Sequence, residues 1–167
     1  MVVHMEQRIA DANALDVFVA TAHRITYCHL VTIDRWDRPR SRVVHPLWAI
    51  TDDAIVGWVG TRPTPLKVAH LQHSRFVSCA YYGATHDLAV AECAAEWVDD
   101  VEERARVWDR FKRAPAPVGY DPAIIPPWSG GPTSPAFAVI QLEPWRLRLM
   151  PGSVMMGGGG AVLSWRA

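Results

Sequence analysis

Two short runs in this sequence set anion-binding residue types at regular spacing. The first is Gly60-Thr61-Arg62-Pro63-Thr64-Pro65-Leu66-Lys67, which reads as a strand end turning into a helix. Pro65 stands where the first helical position tolerates a missing N–H, and Thr64 before it is the expected cap. A helix start offers free backbone N–H groups and the positive end of the helix dipole. Thr61 and Thr64 add hydroxyl donors, and Arg62 and Lys67 add charge. Short-range donors plus cations are what a phosphate monoester requires, with no need of a metal. A helix cap with solvated charges is the alternative reading of the same residues.

The second run is Pro39-Arg40-Ser41-Arg42-Val43-Val44-His45-Pro46. In an extended strand, alternation sends Arg40 and Arg42 to one face and Ser41 and Val43 to the other. Burying two unpaired arginines is costly, so they are either solvated or bound to an anion. For this run alone an exposed strand face is the simpler account. Both runs fall within one three-stranded unit, and that favours the anion.

Other chemistry is less well supported. His23, His29, His70, His73 and His86 lack a two-histidine spacing joined to a carboxylate, so no metal site is expected and they are read as surface or cofactor-edge residues. Ser74, Ser78 and Glu92 are not accompanied by a nucleophile elbow. Glu92 and Glu96 share one strand face, beside a cofactor or in water.

The elements that must position these residues follow from periodicity. Leu15, Phe18, Val19 and Ala22 recur at helical spacing, predicting a helix over 9–22. From Tyr27 the texture becomes β-type, with runs 27–33, 40–50 and 54–60 separated by turn residues. Leu66, Ala69 and His70 predict a short crossing helix over 65–73, and two further strands are expected over 76–82 and 88–98. Asp99, Asp100, Glu102 and Glu103 open a helix running to Arg113, with Val101, Ala105, Trp108 and Phe111 as its apolar stripe. The Pro- and Gly-rich segment 114–135 is too long for an idle connection and is read as a lid or an interface arm. A last strand spans 136–150, and the tail 151–167, with four glycines in a row, is expected to be flexible. Six strands with hairpin connections make a mainly β (α+β) single domain over 1–167, an antiparallel barrel whose closure removes exposed edges.

Composition narrows the function classes. Lys plus Arg equals Asp plus Glu, 17 each, so no basic excess points to nucleic acid. No apolar run reaches the length of a membrane span, and the first ten residues lack the apolar centre of a signal peptide. The three cysteines, Cys28, Cys79 and Cys93, sit in apolar runs and read as small buried hydrophobes in a reducing compartment, so a cytoplasmic protein is expected. Eight tryptophans suggest an aromatic-lined cleft or a subunit contact.

The run from Cys28 to Asp99 resembles the pyridoxamine 5′-phosphate oxidase-like, FMN-binding split-barrel superfamily. The resemblance rests on Leu30-Val31-Thr32-Ile33-Asp34, Arg38-Pro39, Arg42-Val43-Val44, then Thr61 to Lys67 and Leu71, with the strand Leu88 to Trp97 and the acidic turn Asp99-Asp100 following in order. It implies a six-stranded antiparallel split β-barrel with a few peripheral helices. It also implies a homodimer holding two flavins at its interface. Arg42 and Lys67 would match the phosphate-binding positions, with Thr61 and Arg62 beside them. The backbone of Val43, Val44 and His45 would run along the flavin ring, and Trp145 on the last strand would reach the partner's cofactor. FMN is the expected cofactor and the deazaflavin F420 the alternative, with a small organic molecule as substrate. A flavin carrier, stress protein or haem-binding relative is the non-enzymatic alternative.

The departures are specific. Trp36-Asp37 replaces the usual Asp-Gly hairpin, His70 replaces a common Asn, and Leu88 falls near the flavin-contacting Gln of the oxidases. Arg146 and Arg148 have no His between them, which argues against a true pyridoxamine phosphate oxidase.

Overall fold

The computed structural model describes residues 2–51 and 54–167, with residues 2–12 described as backbone only. The chain begins with α1 (Val2–Ile25), longer than the helix expected over 9–22. Strands β1 (Cys28–Ile33), β2 (Pro39–Val44), β3 (Pro46–Thr51) and β4 (Ala54–Thr61) follow. Helix α2 (Pro65–His73) leads to β5 (Phe76–Tyr82) and β6 (Leu88–Trp97). Helix α3 (Val101–Arg113), two 3-10 turns, β7 (Ala138–Met150), the single turn α4 (Gly152–Met155) and β8 (Leu163–Arg166) complete the order.

Every strand pairing is antiparallel, and the hydrogen-bonded order is β2-β1-β5-β6-β7-β4-β3. The two edge strands, β2 and β3, are consecutive in sequence with only His45 between them. The sheet must therefore roll until its edges approach, yet β2 and β3 share no ladder, and the barrel is split along that seam. The run 40–50, expected to be one strand, is divided because Pro46 has no N–H to give a ladder.

This division, with a strand in the tail, makes eight strands where six were expected. The first half of β7 pairs with β4 and its second half with β8, which takes up the edge that β4 leaves free. The tail, expected to be flexible, thus carries α4 and β8. The Asp87 carboxylate ties it to the β5–β6 turn by accepting the Gly152 N–H at 2.8 Å.

Alternation fills the barrel. Cys28 and Leu30 of β1, Val77, Cys79 and Tyr81 of β5, Ala89, Ala91 and Cys93 of β6, and Leu147 and Leu149 of β7 form one buried cluster with Leu15, Phe18 and Ala22 of α1. Phe18 stands edge-on to Trp48 at 5.1 Å, and Trp48 Nε1 donates to the Tyr81 hydroxyl at 2.7 Å. All three cysteines are buried and unpaired, as small hydrophobes would be. A second cluster joins Val107, Trp108 and Phe111 of α3 and Val118, Trp128 and Phe137 of the following segment to Leu47, Trp58 and Val139. Val107 takes the place expected for Val101, which is exposed. Segment 114–135 is packed down here, with Trp128 Nε1 donating to the Ala136 carbonyl at 2.9 Å. Among the described residues no helix is long and apolar enough to cross a membrane.

Candidate anion-binding site

The β1–β2 turn is built around one carboxylate. Asp34 is 2% exposed and accepts the backbone N–H groups of Trp36 and Arg38 at 2.9 and 3.1 Å. Its second oxygen meets the Arg38 and Arg40 guanidinium groups at 3.1 and 3.4 Å. Burial pushes its pKa up, but these donors outweigh that and hold it at about 2. Asp37 takes the left-handed conformation, φ 59°, that the turn requires of its non-glycine residue.

The two arginines of β2 therefore differ. Arg40 pairs with Asp34, whereas Arg42, pointing to the same face, forms no ion pair with a carboxylate among the described residues. Its guanidinium donates to His70 Nδ1 at 3.3 Å. Burial, then the charge of Arg40, push the Arg42 pKa down from its ordinary value.

The second run approaches from the other side of the seam. Strand β4 continues two residues past Val59, the partner of Pro46, so Gly60 and Thr61 reach beyond the start of β3 toward β2. Thr61 is buried, and its hydroxyl accepts from Lys67 Nζ at 2.7 Å. Lys67 Nζ also donates to the Arg62 carbonyl at 3.2 Å. Burial lowers the Lys67 pKa, and the charges of Arg42 and Arg62 lower it further. Arg42 and Arg62 thus both bear on Lys67, and neither Arg62 nor Lys67 has a carboxylate partner among the described residues.

Helix α2 starts at Pro65 as expected, but the Thr64 hydroxyl forms no cap bond. Pro65 has no N–H and Val68 already bonds the Thr64 carbonyl at 3.1 Å, so the Leu66 and Lys67 amides are the free donors of the first turn. The site offers three cations, Arg42 and Lys67 half-buried and Arg62 exposed, with one hydroxyl and two amides. It can hold a dianion of phosphate size.

The remaining expected residues are placed differently. Val43 is 61% exposed on the outer sheet face and Val44 is half-buried against the core. The His45 backbone lies at the seam. Its ring turns away into an aromatic group of Tyr27, Phe111 and Tyr120, with centroids at 5.3, 6.0 and 5.0 Å. Trp145 is not part of the cluster within one chain. It lies seven residues along β7 from Ala138, the partner of Thr61, about 23 Å at the usual strand rise. Its position is a β-bulge, since Glu92 pairs with Arg146 and Cys93 with Pro144, and the extra residue projects outward.

Sequence reasoning missed the part played by His70 and Asp34. His70 follows Lys67 by three residues and so shares its helix face, a spacing that could have flagged it. It is 2% exposed rather than at the surface, with the Thr32 hydroxyl 2.9 Å from Nδ1. His23 is also internal, with Nε2 accepting the Trp48 N–H at 3.0 Å, while His73 pairs with Asp37 at 2.8 Å in the open. Glu92 bonds Arg146 at 3.2 Å rather than standing free. Among the described residues no group of three or more His, Cys, Asp or Glu side chains is placed to hold a metal ion.

No family model matches the sequence, and no curated protein matches it. Solved structures match in shape. A protein related to general stress protein 26, of the pyridoxinephosphate oxidase family, from Clostridium acetobutylicum superposes with a TM-score of 0.67 at 9% identity, over 91% of this chain and 93% of that one. A pyridoxamine 5′-phosphate oxidase-related, FMN-binding protein from Nostoc punctiforme gives 0.56 at 14% identity, over 93% and 94%. A haem-binding protein from Mycobacterium smegmatis gives 0.60 at 17% identity, over 92% of this chain and 57% of that one. At these identities the likeness speaks for the fold. Strand order, the seam at His45 and these superpositions agree that the chain has the split-barrel fold of the pyridoxamine 5′-phosphate oxidase-like proteins.

Proposed function

We propose that this chain binds FMN, or alternatively F420, through the phosphate, and acts as a flavin-type oxidoreductase on a small organic substrate. The observation that carries the reading is the charge arrangement. Asp34 is committed to Arg38 and Arg40, yet Lys67 feels the charges of Arg42 and Arg62, and none of these three pairs with a carboxylate among the described residues. Crowding like charges is unfavourable unless an anion relieves it. When bound, the flavin supplies the hydride or electron transfer.

The protein's part is to bind and orient. Arg42 and Lys67 would grip the phosphate from opposite sides of the seam, with Arg62, Thr61 and the first amides of α2 completing the set. The ring would extend along the backbone of Val43 to His45, at the edge of an outer face that no helix covers among the described residues. That face carries exposed Val43, Phe76, Tyr82 and Trp145, and half-buried Val31, Ala80 and Val90. A second copy would cover it, forming a homodimer in which Trp145 reaches the partner's cofactor groove. A flavin or haem carrier on the same barrel is the second reading, supported by the likeness to a haem-binding protein.

Cofactor titration tests the proposal. A charged hydrogen bond to phosphate is worth about 1.5–3 kcal/mol, or about ten- to a hundredfold in affinity. Lys67→Met should weaken FMN by that factor and leave riboflavin, which has no phosphate, unchanged. F420 is titrated in parallel, and absorbance of the purified protein separates flavin from haem. If the best-binding cofactor loses no affinity in folded Lys67→Met, the segment Thr61 to Lys67 is only the start of a helix.

A further inference from the structure

His70 is buried, and its Nδ1 lies 3.3 Å from an Arg42 terminal nitrogen and 2.9 Å from the Thr32 hydroxyl. A guanidinium can only donate, so the Arg42 contact is a hydrogen bond in the tautomer that carries its proton on Nε2 and leaves Nδ1 a lone pair. Arg42 needs such a partner. It stands within the β1–β2 ladder, opposite Leu30, and the buried carboxylate of that pair's turn, Asp34, is already committed to Arg38 and Arg40. A carboxylate in place of His70 would quench the charge, and an apolar side chain would leave the guanidinium without a tether. A neutral acceptor holds Arg42 in place without cancelling its charge. Resting on the phosphate-binding reading above, we infer that His70 is a positioning residue that preorganises Arg42 for the cofactor phosphate.

The effect should be confined to ligands that engage Arg42. Immobilising one rotamer-rich side chain on binding costs enough to weaken affinity about two- to tenfold. His70→Leu keeps apolar bulk and removes the acceptor, so it should weaken FMN by that factor and leave riboflavin unchanged. His70→Asn places an amide oxygen near the position of Nδ1 and should restore most of the affinity. In an Arg42→Met background, His70→Leu should have no further effect, because its target is gone. A residue that merely supports the fold would lower FMN and riboflavin alike and would not be rescued by Asn.

The outcomes separate two failures. If Lys67→Met and Arg42→Met leave FMN affinity intact, the phosphate reading fails and this inference falls with it. If they weaken FMN but His70→Leu does not, or weakens riboflavin equally, only the role of His70 is overturned. Should His70→Leu not fold, the unmutated protein still decides the matter. Imidazole ¹⁵N spectra near neutral pH should show His70 as the Nε2–H tautomer, and an Nδ1–H tautomer overturns the proposal.

Discussion

His23, His45 and His70 are all held below the ordinary histidine value of 6.5, in each case chiefly by burial. The charge of His45 adds to the effect on His23, and Arg42, Arg40 and His73 add to it on His70, where Asp34 opposes them. Protonating His23 would also destroy the acceptor that meets the Trp48 N–H. A group whose folded pKa is depressed binds fewer protons folded than unfolded, so stability rises with pH across the interval between the two values. The histidine contribution is fully present above 6.5 and is lost as pH falls through 6.5 toward the lower folded values. Asp34, held at about 2, stays ionised throughout that window. The melting temperature is therefore expected to drop between about pH 7.5 and about pH 5, and His70→Asn should reduce the drop. A flat profile by scanning calorimetry would show that these rings are not held neutral by burial.

At the scale of elements, Gly57 explains how β4 fits beneath β3. A Cβ there would stand 2.6 Å from the Trp48 ring, whose Nε1 is fixed by the Tyr81 hydroxyl, so the ring cannot readily retreat. Gly57→Ala is expected to destabilise the fold by about 1–3 kcal/mol, as overpacking does. Denaturant unfolding measures this, and an unchanged midpoint would mean that Trp48 has room the structure does not show.

The strands themselves were legible because period-2 alternation is local. Phe76–Tyr82 and Pro65–His73 fall where the pattern put them. What was hidden depended on partners distant in sequence. Pro46 divides the run 40–50 where β2 leaves its ladder with β1 and β3 begins its own with β4. The glycine-rich tail gains β8 only because β7 outlasts β4. At the site, residue types and spacing picked out Arg42, Arg62 and Lys67, whose charges the fold brings to bear on one another at Lys67. Strand alternation alone did not separate Arg40 from Arg42, which only the resemblance did, because the difference turns on Asp34 folding back over Arg38 and Arg40.

For the whole molecule, the uncovered face of β2, β1, β5, β6 and β7 is the feature that asks for a partner. Val43, Phe76, Tyr82 and Trp145 are exposed there, around the Glu92–Arg146 pair. Aromatic and apolar groups around a satisfied polar pair resemble the core of an interface. We expect a dimer at micromolar concentration by sedimentation, and a monomer for Ala80→Arg, which places a charge in the middle of that face. A monomeric wild type would remove the support for Trp145 as a partner-supplied residue.

The seam has a mechanical consequence. Arg42 stands on one bank, and Thr61 and Lys67 on the other, with no hydrogen-bond ladder between β2 and β3. An anion gripped from both banks, as proposed above, would act as a clasp across a joint in the wall that the backbone leaves unstitched. Part of its binding free energy then goes into holding the banks together, and by mass action the closed form gains stability as the ligand saturates. On this view the cargo is the last fastening of its own container.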